Sequence, residues 1–163
     1  MTKWEVIKNL NFKQTSALFV WFLKHPIFML ATFKATANTL KVAERKFPKI
    51  HGAHNRANAF RHALWNVLIA KECNKFSNSL NDVLNWTKLI TDWHEEFAPN
   101  APLEKLMDLH NNAIGRKIFT ILKEKSTAEI IKTLILKMNT AVKISEISKI
   151  EEINNLVFLN IHL

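Results

Sequence analysis

Glycine is nearly absent from this chain. There are two in 163 residues, beside four prolines. Backbone conformations that only glycine takes easily are therefore scarce, and a fold of many short strands and tight turns is disfavoured relative to helices. A single cysteine, Cys73, excludes an internal disulfide and fits a reducing, cytoplasmic compartment. Taken alone, Cys73 reads as a small buried hydrophobe. The common catalytic templates are missing too. There is no phosphate-binding glycine loop and no dinucleotide fingerprint. His94-Glu95 lacks the second histidine of H-E-x-x-H, no G-x-S-x-G elbow occurs, and Cys73 has no histidine near it in sequence. Paired E-x-x-H di-iron motifs are absent. Arginine is scarce: only four of the 23 basic residues, Arg45, Arg56, Arg61 and Arg116. With no zinc-finger, RNA-recognition or basic-zipper pattern, nucleic acid is not an expected partner.

What is present suits one helical domain. The chain is 48% hydrophobic, long enough for a sizeable core, and free of repeats and low-complexity segments. Its formal net charge of +9 is unevenly placed. Residues 1–50 hold nine basic and two acidic side chains, residues 51–116 hold seven of each, and residues 117–163 hold seven and five. The first third also carries half the aromatics: Trp4, Phe12, Phe19, Trp21, Phe22, Phe28, Phe33 and Phe47. Ala17–Leu23 is a solid apolar run, far shorter than the roughly 20 residues that span a bilayer. No small-residue cleavage site follows it closely, so a signal peptide is poorly supported. A helix is expected to restart at Pro26 and run to about Arg45, with Ile27, Leu30, Ala37 and Leu40 inward. Two readings of this third compete. One is an ordinary pair of helices packed on the core. The other is a peripheral membrane contact, because lysine with Trp and Phe is what an interfacial helix uses.

The middle third carries the chemistry. On a helix, His54, Asn58, Arg61, His62 and Trp65 fall within about a third of the circumference. Ala59, Phe60, Ala63, Val67 and Ala70 lie opposite, flanked by Leu64 and Leu68, so this helix is apolar on several sides and should be buried and central. A second helix is expected through Leu80, Val83, Leu84, Trp86, Leu89, Ile90 and Trp93. His94 stands at the border of that face, and Glu95 lies on the side of Thr91. Pro99 and Pro102 then force a turn. From Pro102 a third helix puts Glu104, Asp108, Asn111, Asn112 and Gly115 on one face. Leu103, Leu106, Met107, His110 and Ile114 fall on another, so His110 points away from Asp108.

These residues carry a resemblance. H-N-x-x-N-A-x-R-H-A-x-W-N, D-x-H-E and M-D-L-H-N-N-x-x-G-R, across residues 51–116, resemble the signatures of a bacterial domain family of unknown function. Its members occur alone and as modules of secreted or toxin-like proteins. The pattern usually has Asp where this chain has Asn58. The resemblance implies a mostly helical fold and carries no activity with it.

After Arg116 the third helix continues through Ile118 to Glu124. Ser126-x-x-Glu129 is a capping box before Ile130, Ile131, Leu134 and Leu136. Ser145–Asn155 is expected as a short amphipathic helix. Residues 156–161 read as a short terminal strand, with no visible partner, or as the end of that helix.

The polar set admits two chemistries. Mixed nitrogen and oxygen ligands suit a zinc-like divalent ion. His54 and His62, about 12 Å apart along a helix, cannot share one ion. His62, His94 and Asp108, or Glu95 in place of the last, could hold one if three helices converge. Without a metal, His62 or His94 could act as general base, oriented by Asp92 or Glu95. Arg61 and Arg116 would grip an anionic group, with His54, Asn58, Asn111 and Asn112 lining the pocket. A buried arginine needs a partner, and Arg61 is expected to meet Asp108 directly or through Asn111, Asn112 or a bound anion. The functional expectation is a small hydrolase acting on a phosphate-bearing or lipid-like substrate. The alternative is a non-catalytic interaction or membrane-surface domain whose polar residues form one buried structural network.

Overall fold

The computed structural model describes residues 12–147, 150 and 152–159. Among them the chain is all-α apart from one pair of short strands. The helices are α1 (Phe12–Lys24), α2 (Pro26–Lys46), α3 (Arg56–Cys73), α4 (Leu80–Phe97), α5 (Pro102–Leu122) and α6 (Thr127–Asn139). The strands are β1 (Val142–Ile144) and β2 (Val157–Leu159).

Local chemistry sets the helix ends. Pro26 starts α2 and Pro102 starts α5, where a missing N–H is harmless. Asn55 caps α3 by accepting from the Asn58 amide at 3.1 Å, and Ser79 caps α4 through the Asp82 amide at 3.2 Å. Ser126 and Glu129 form a reciprocal capping box on α6.

Helix α3 is the axis of the domain. It packs on α2, α4, α5, α6 and β2, and Phe60, Leu64, Val67 and Ile69 are among the largest fully buried side chains. Its approach to α5 is very close. A Cβ placed on Gly115 would lie 2.4 Å from the Ala63 carbonyl oxygen and 2.8 Å from the Ala63 Cα. Only a residue without a side chain allows that crossing.

Helix α2 reverses one expectation. Its buried face is Met29, Thr32, Ala35, Thr39 and Ala43, while Ile27 and Leu30 are 54% and 58% exposed. Small residues win the inward positions because α2 lies tight against α3. The indoles of Trp86 and Trp65 are then met by hydroxyls of α2, with Trp86 Nε1 donating to Thr32 and Trp65 Nε1 to Thr36.

The C-terminal region also differs from expectation. β2 does have a partner: it pairs in parallel with β1, Val142 opposite Val157 and Ile144 opposite Leu159. The described residues between the strands make turns rather than a helix. Trp4, Asn160 and Ile161, which entered the readings above, lie outside the described residues.

Candidate functional site

Three buried helices converge on the imidazole of His62. From α3, His62 presents Nδ1 to Glu95 Oε1 of α4 at 3.3 Å and Nε2 to Asp108 Oδ1 of α5 at 3.3 Å. The three residues are 3%, 1% and 2% exposed, so their polar atoms depend on one another.

The two ring nitrogens of His62 have different surroundings. Around Nδ1 stand two acceptors, Glu95 Oε1 and Asn112 Oδ1 at 3.3 Å. The Asn112 amide is itself fixed, donating to Glu95 Oε1 at 3.0 Å while its Oδ1 accepts from Asn66 Nδ2 at 2.7 Å. Nε2 meets a guanidinium N–H of Arg61 at 3.0 Å, and arginine can only donate. Nδ1 thus has acceptors in reach, while Nε2 has both a donor in Arg61 and the acceptor Asp108 Oδ1 in reach. An Nε2 lone pair and Asp108 Oδ1 at that distance repel unless a proton or a cation lies between them.

The two carboxylates respond differently. Burial raises Asp108 above its ordinary value, helped by Glu95 and opposed by the charges of His62, Arg61 and His54. Burial would also raise Glu95. There the hydrogen bond and charge of His62, the charge of His94 and the Asn112 donor prevail, and Glu95 is held below its ordinary value. Environments that push two carboxyl groups apart suit an acid and a base at one site. Glu95 Oε2 is buried with no hydrogen-bond partner.

Charge and exposure give the centre an inner and an outer edge. Beyond Nδ1, buried Asn66 and Thr91 lead to Arg116, which donates to Asn66 Oδ1 at 2.9 Å and Thr91 Oγ1 at 3.2 Å. Beyond Nε2, Arg61 and Asn100 are half-buried, with buried Asn58 between Arg61 and Asp108. Arg61 donates to Asn58 Oδ1 at 2.6 Å, Asn58 donates to Asp108 Oδ1 at 3.2 Å, and Asn100 donates to Asp108 Oδ2 at 3.0 Å. Burial lowers both Arg61, opposed by Asp108 and Glu95, and Arg116, opposed by Asp92.

The expected residues are thus sorted. His62, Glu95, Asp108, Asn58, Arg61, Asn112 and Arg116 belong to one connected network. His94 does not join the cation-binding trio expected of it with His62 and Asp108. It is exposed, with its ring 5.2 Å from that of Trp65, and Glu95 takes its place beside His62. Asn111 faces the strands, pairing both backbone groups of Val157 at 2.9 Å. His54 is near Glu104, Nε2 to Oε1 at 3.4 Å. Arg61 reaches Asp108 through Asn58 and His62, not through Asn111 or Asn112. His110 turns to the Asn155 carbonyl at 2.9 Å. Sequence reasoning missed Asn66, Thr91 and Asn100 as members. Asn66 was visible as the residue one turn past His62; Asn100 sits in a loop, where periodicity gives no direction.

His62, Glu95 and Asp108 each offer a ligand atom, all within 4.8 Å of one another, which is a set able to hold a metal ion. Two surface grooves lie elsewhere. One is lined by residues including Phe47, Arg56 and Phe158, the other by residues including Trp21, Leu89 and Trp93. No described helix is long and apolar enough to cross a membrane.

A family model described as a domain of unknown function (DUF6973) matches residues 19–142, which takes in the whole of the network. No curated protein and no solved structure matches the chain.

Proposed function

Starting from a chain that belongs to the family DUF6973, a domain of unknown function, we propose a small hydrolase that holds a zinc-like divalent cation on His62, Glu95 and Asp108 and cleaves a phosphate-bearing substrate. The observation that supports it is Glu95 Oε2, a buried carboxylate oxygen without a partner inside a compact nitrogen-and-oxygen ligand set. An unsatisfied buried oxygen of this kind is destabilising by about 1–3 kcal/mol, more for a charged group. A cation would satisfy it, and would also lie between Nε2 and Asp108 Oδ1.

The fit extends to the number of donors. Three protein ligands of nitrogen and oxygen match the ligand count of a catalytic zinc, though with one imidazole and two carboxylates rather than the usual majority of imidazoles. Bound there, such an ion supplies Lewis acidity and a water of lowered pKa. The protein's own residues would do the rest. Arg61, half-buried on the Nε2 edge, offers a two-pronged donor to a phosphate. Asn112 and Glu95 hold the His62 ring in place through Nδ1. Asn58 and Asn100 hold Asp108 in place.

A second reading has an observation of its own. The near-complete burial of all three ligands suits a structural network that fixes α3, α4 and α5. One experiment separates the two. The chain is assayed with zinc or manganese against a phosphomonoester, a phosphodiester and phosphatidylglycerol vesicles. Turnover of one class, with Arg61→Ala raising KM and His62→Ala removing kcat, is the expected result. No turnover of any class by folded protein would leave the structural network.

A further inference from the structure

The outer face of α1 and α2 is apolar and exposed, and its one acid, Glu44, lies at the far end of α2 beside Arg45 and Lys46. Phe19, Phe22 and Leu23 are exposed on α1, and Ile27, Leu30 and Phe33 continue the stripe along α2. Phe19, Leu23 and Phe33 are 62%, 65% and 51% exposed, so these are not edges of the core. The same helices hold themselves to the domain with other residues. Leu18, Trp21, Phe28 and Met29 pack on the core cluster, and Trp21 stacks edge-on against Trp93 of α4 at 5.5 Å. Large apolar side chains exposed at helical spacing on two consecutive helices of a folded domain point to an interaction surface.

Charge identifies the partner. From Phe12 to Ala43 the sequence has four lysines, Lys13, Lys24, Lys34 and Lys41, and no Asp or Glu. Lys24, Lys34 and Lys41 are exposed. Lys34 contacts Glu72 at 3.1 Å, but Glu72 is already held by Lys75 at 2.7 Å, so this corner stays positive. Other acids border the face at Glu44, at the end of α2, and on the α4 side, where Asp92 and Glu96 line the groove beside Trp21 and Lys88 pairs with Asp92. A second copy would bring lysine stripe against lysine stripe, which like charges oppose. Aromatic and aliphatic side chains rimmed by lysine are instead complementary to a negatively charged bilayer surface. Neither helix can cross a membrane, so the contact is with the surface.

We propose that the α1–α2 face docks the protein on an anionic phospholipid bilayer. Phe19, Phe22, Leu23, Ile27, Leu30 and Phe33 enter the headgroup boundary, and the lysines meet lipid phosphates and carboxylates. This docking stands on its own observations, whether or not the buried trio holds a cation.

The test is flotation of the full chain with phosphatidylcholine vesicles, with and without phosphatidylserine. The expected result is binding to the serine-containing vesicles at least about tenfold tighter than to phosphatidylcholine alone, weakened by high salt. Leu23→Glu with Leu30→Glu should reduce binding about tenfold or more, and Lys24→Glu with Lys34→Glu should abolish the preference for serine lipid. All four side chains are exposed, so thermal melting should be unchanged in both variants. Equal recovery with both vesicle types, or failure of the wild-type chain to float, would overturn the proposal. So would a wild-type dimer in sedimentation that Leu23→Glu with Leu30→Glu turns into monomer, because the occupant would then be a second copy.

Discussion

Replacing Gly115 by alanine should open the site from a distance. The added Cβ would sit 2.4 Å from the Ala63 carbonyl oxygen, 2.8 Å from the Ala63 Cα and 2.9 Å from the Asn66 Cβ. Two of these are backbone atoms of α3 and cannot swing away. Ordinary contact begins at 3.4 Å, so α3 and α5 must separate by about 1 Å (3.4 less 2.4). The bonds across this crossing have no such slack: Asn66 to Asn112 at 2.7 Å, Asn58 to Asp108 at 3.2 Å and His62 to Asn112 at 3.3 Å. Stretched by that amount, at least one buried donor loses its acceptor, at about 1–3 kcal/mol, on top of about 1–3 kcal/mol for overpacking. A loss of about 2–6 kcal/mol follows, which for a domain of this size lowers Tm by about 4 °C or more. The assay is calorimetric melting beside Gly52→Ala, whose Cβ meets nothing within 4 Å and which should melt within about 2 °C of wild type. A Gly115→Ala protein that also melts within about 2 °C of wild type would refute the reasoning, because the crossing would then be soft.

Three further outcomes are expected. Asp108→Ala strands Asn58, Asn100 and His62 and should lower the urea-unfolding free energy by about 3 kcal/mol or more. Arg61→Ala, at a half-buried site, should lower it by about 1–2 kcal/mol. The double variant should fall short of their sum by about 1 kcal/mol, because both act through Asn58 and His62; additivity would break that link. Glu95, held below the ordinary 4.5, contributes stability that is complete above that value and lost as pH falls through its lower folded one. In chelator the melting gap between wild type and Glu95→Gln should therefore close on acidification below 4.5, and a gap that widens would contradict the sign. Asp108 works the other way, since a raised carboxyl is relieved as pH falls through its folded value. Cys73 is buried, and burial pushes its thiol up to about 12, so iodoacetamide at pH 8 should modify it only after unfolding, as intact mass would record.

How far the sequence reveals this structure depends on what each segment encodes. Helix α3 was legible because its polar residues recur on one stripe of an otherwise apolar helix, α4 because its apolar residues recur at helical spacing up to the turn at Pro99, and α5 because Pro102 marks its start. The inward face of α2 was not legible. Size-weighted hydrophobicity favours Ile27 and Leu30, but the tight packing on α3 selects Ala35, Thr39 and Ala43. β1 is three residues long and makes sense only beside β2 and Asn111, a long-range pairing that no local period announces. Within the site, helical facing placed Asn58, His62 and Asp108 on polar stripes. It could not choose between His94 and Glu95, adjacent residues that both border the polar side of α4. The choice was made by the rotation of α4 against α3, with Trp65 turning its ring to His94 and leaving Glu95 to His62. Arg61 was legible as a buried-side cation in need of partners, but not the identity of its first contact, Asn58, one turn away on its own helix.

The central claim, that His62, Glu95 and Asp108 form a cation site, is met most directly by calorimetric titration of untagged, chelator-treated protein with zinc, beside Glu95→Gln. Glu95→Gln keeps the shape of the side chain and the Asn112 and His62 contacts at Oε1, and replaces the unpartnered, charged oxygen with an amide that cannot bind metal. The account predicts one zinc per wild-type chain and an affinity at least about 100-fold weaker in a folded Glu95→Gln protein. Equal zinc binding by both proteins, or none by wild type, would contradict it.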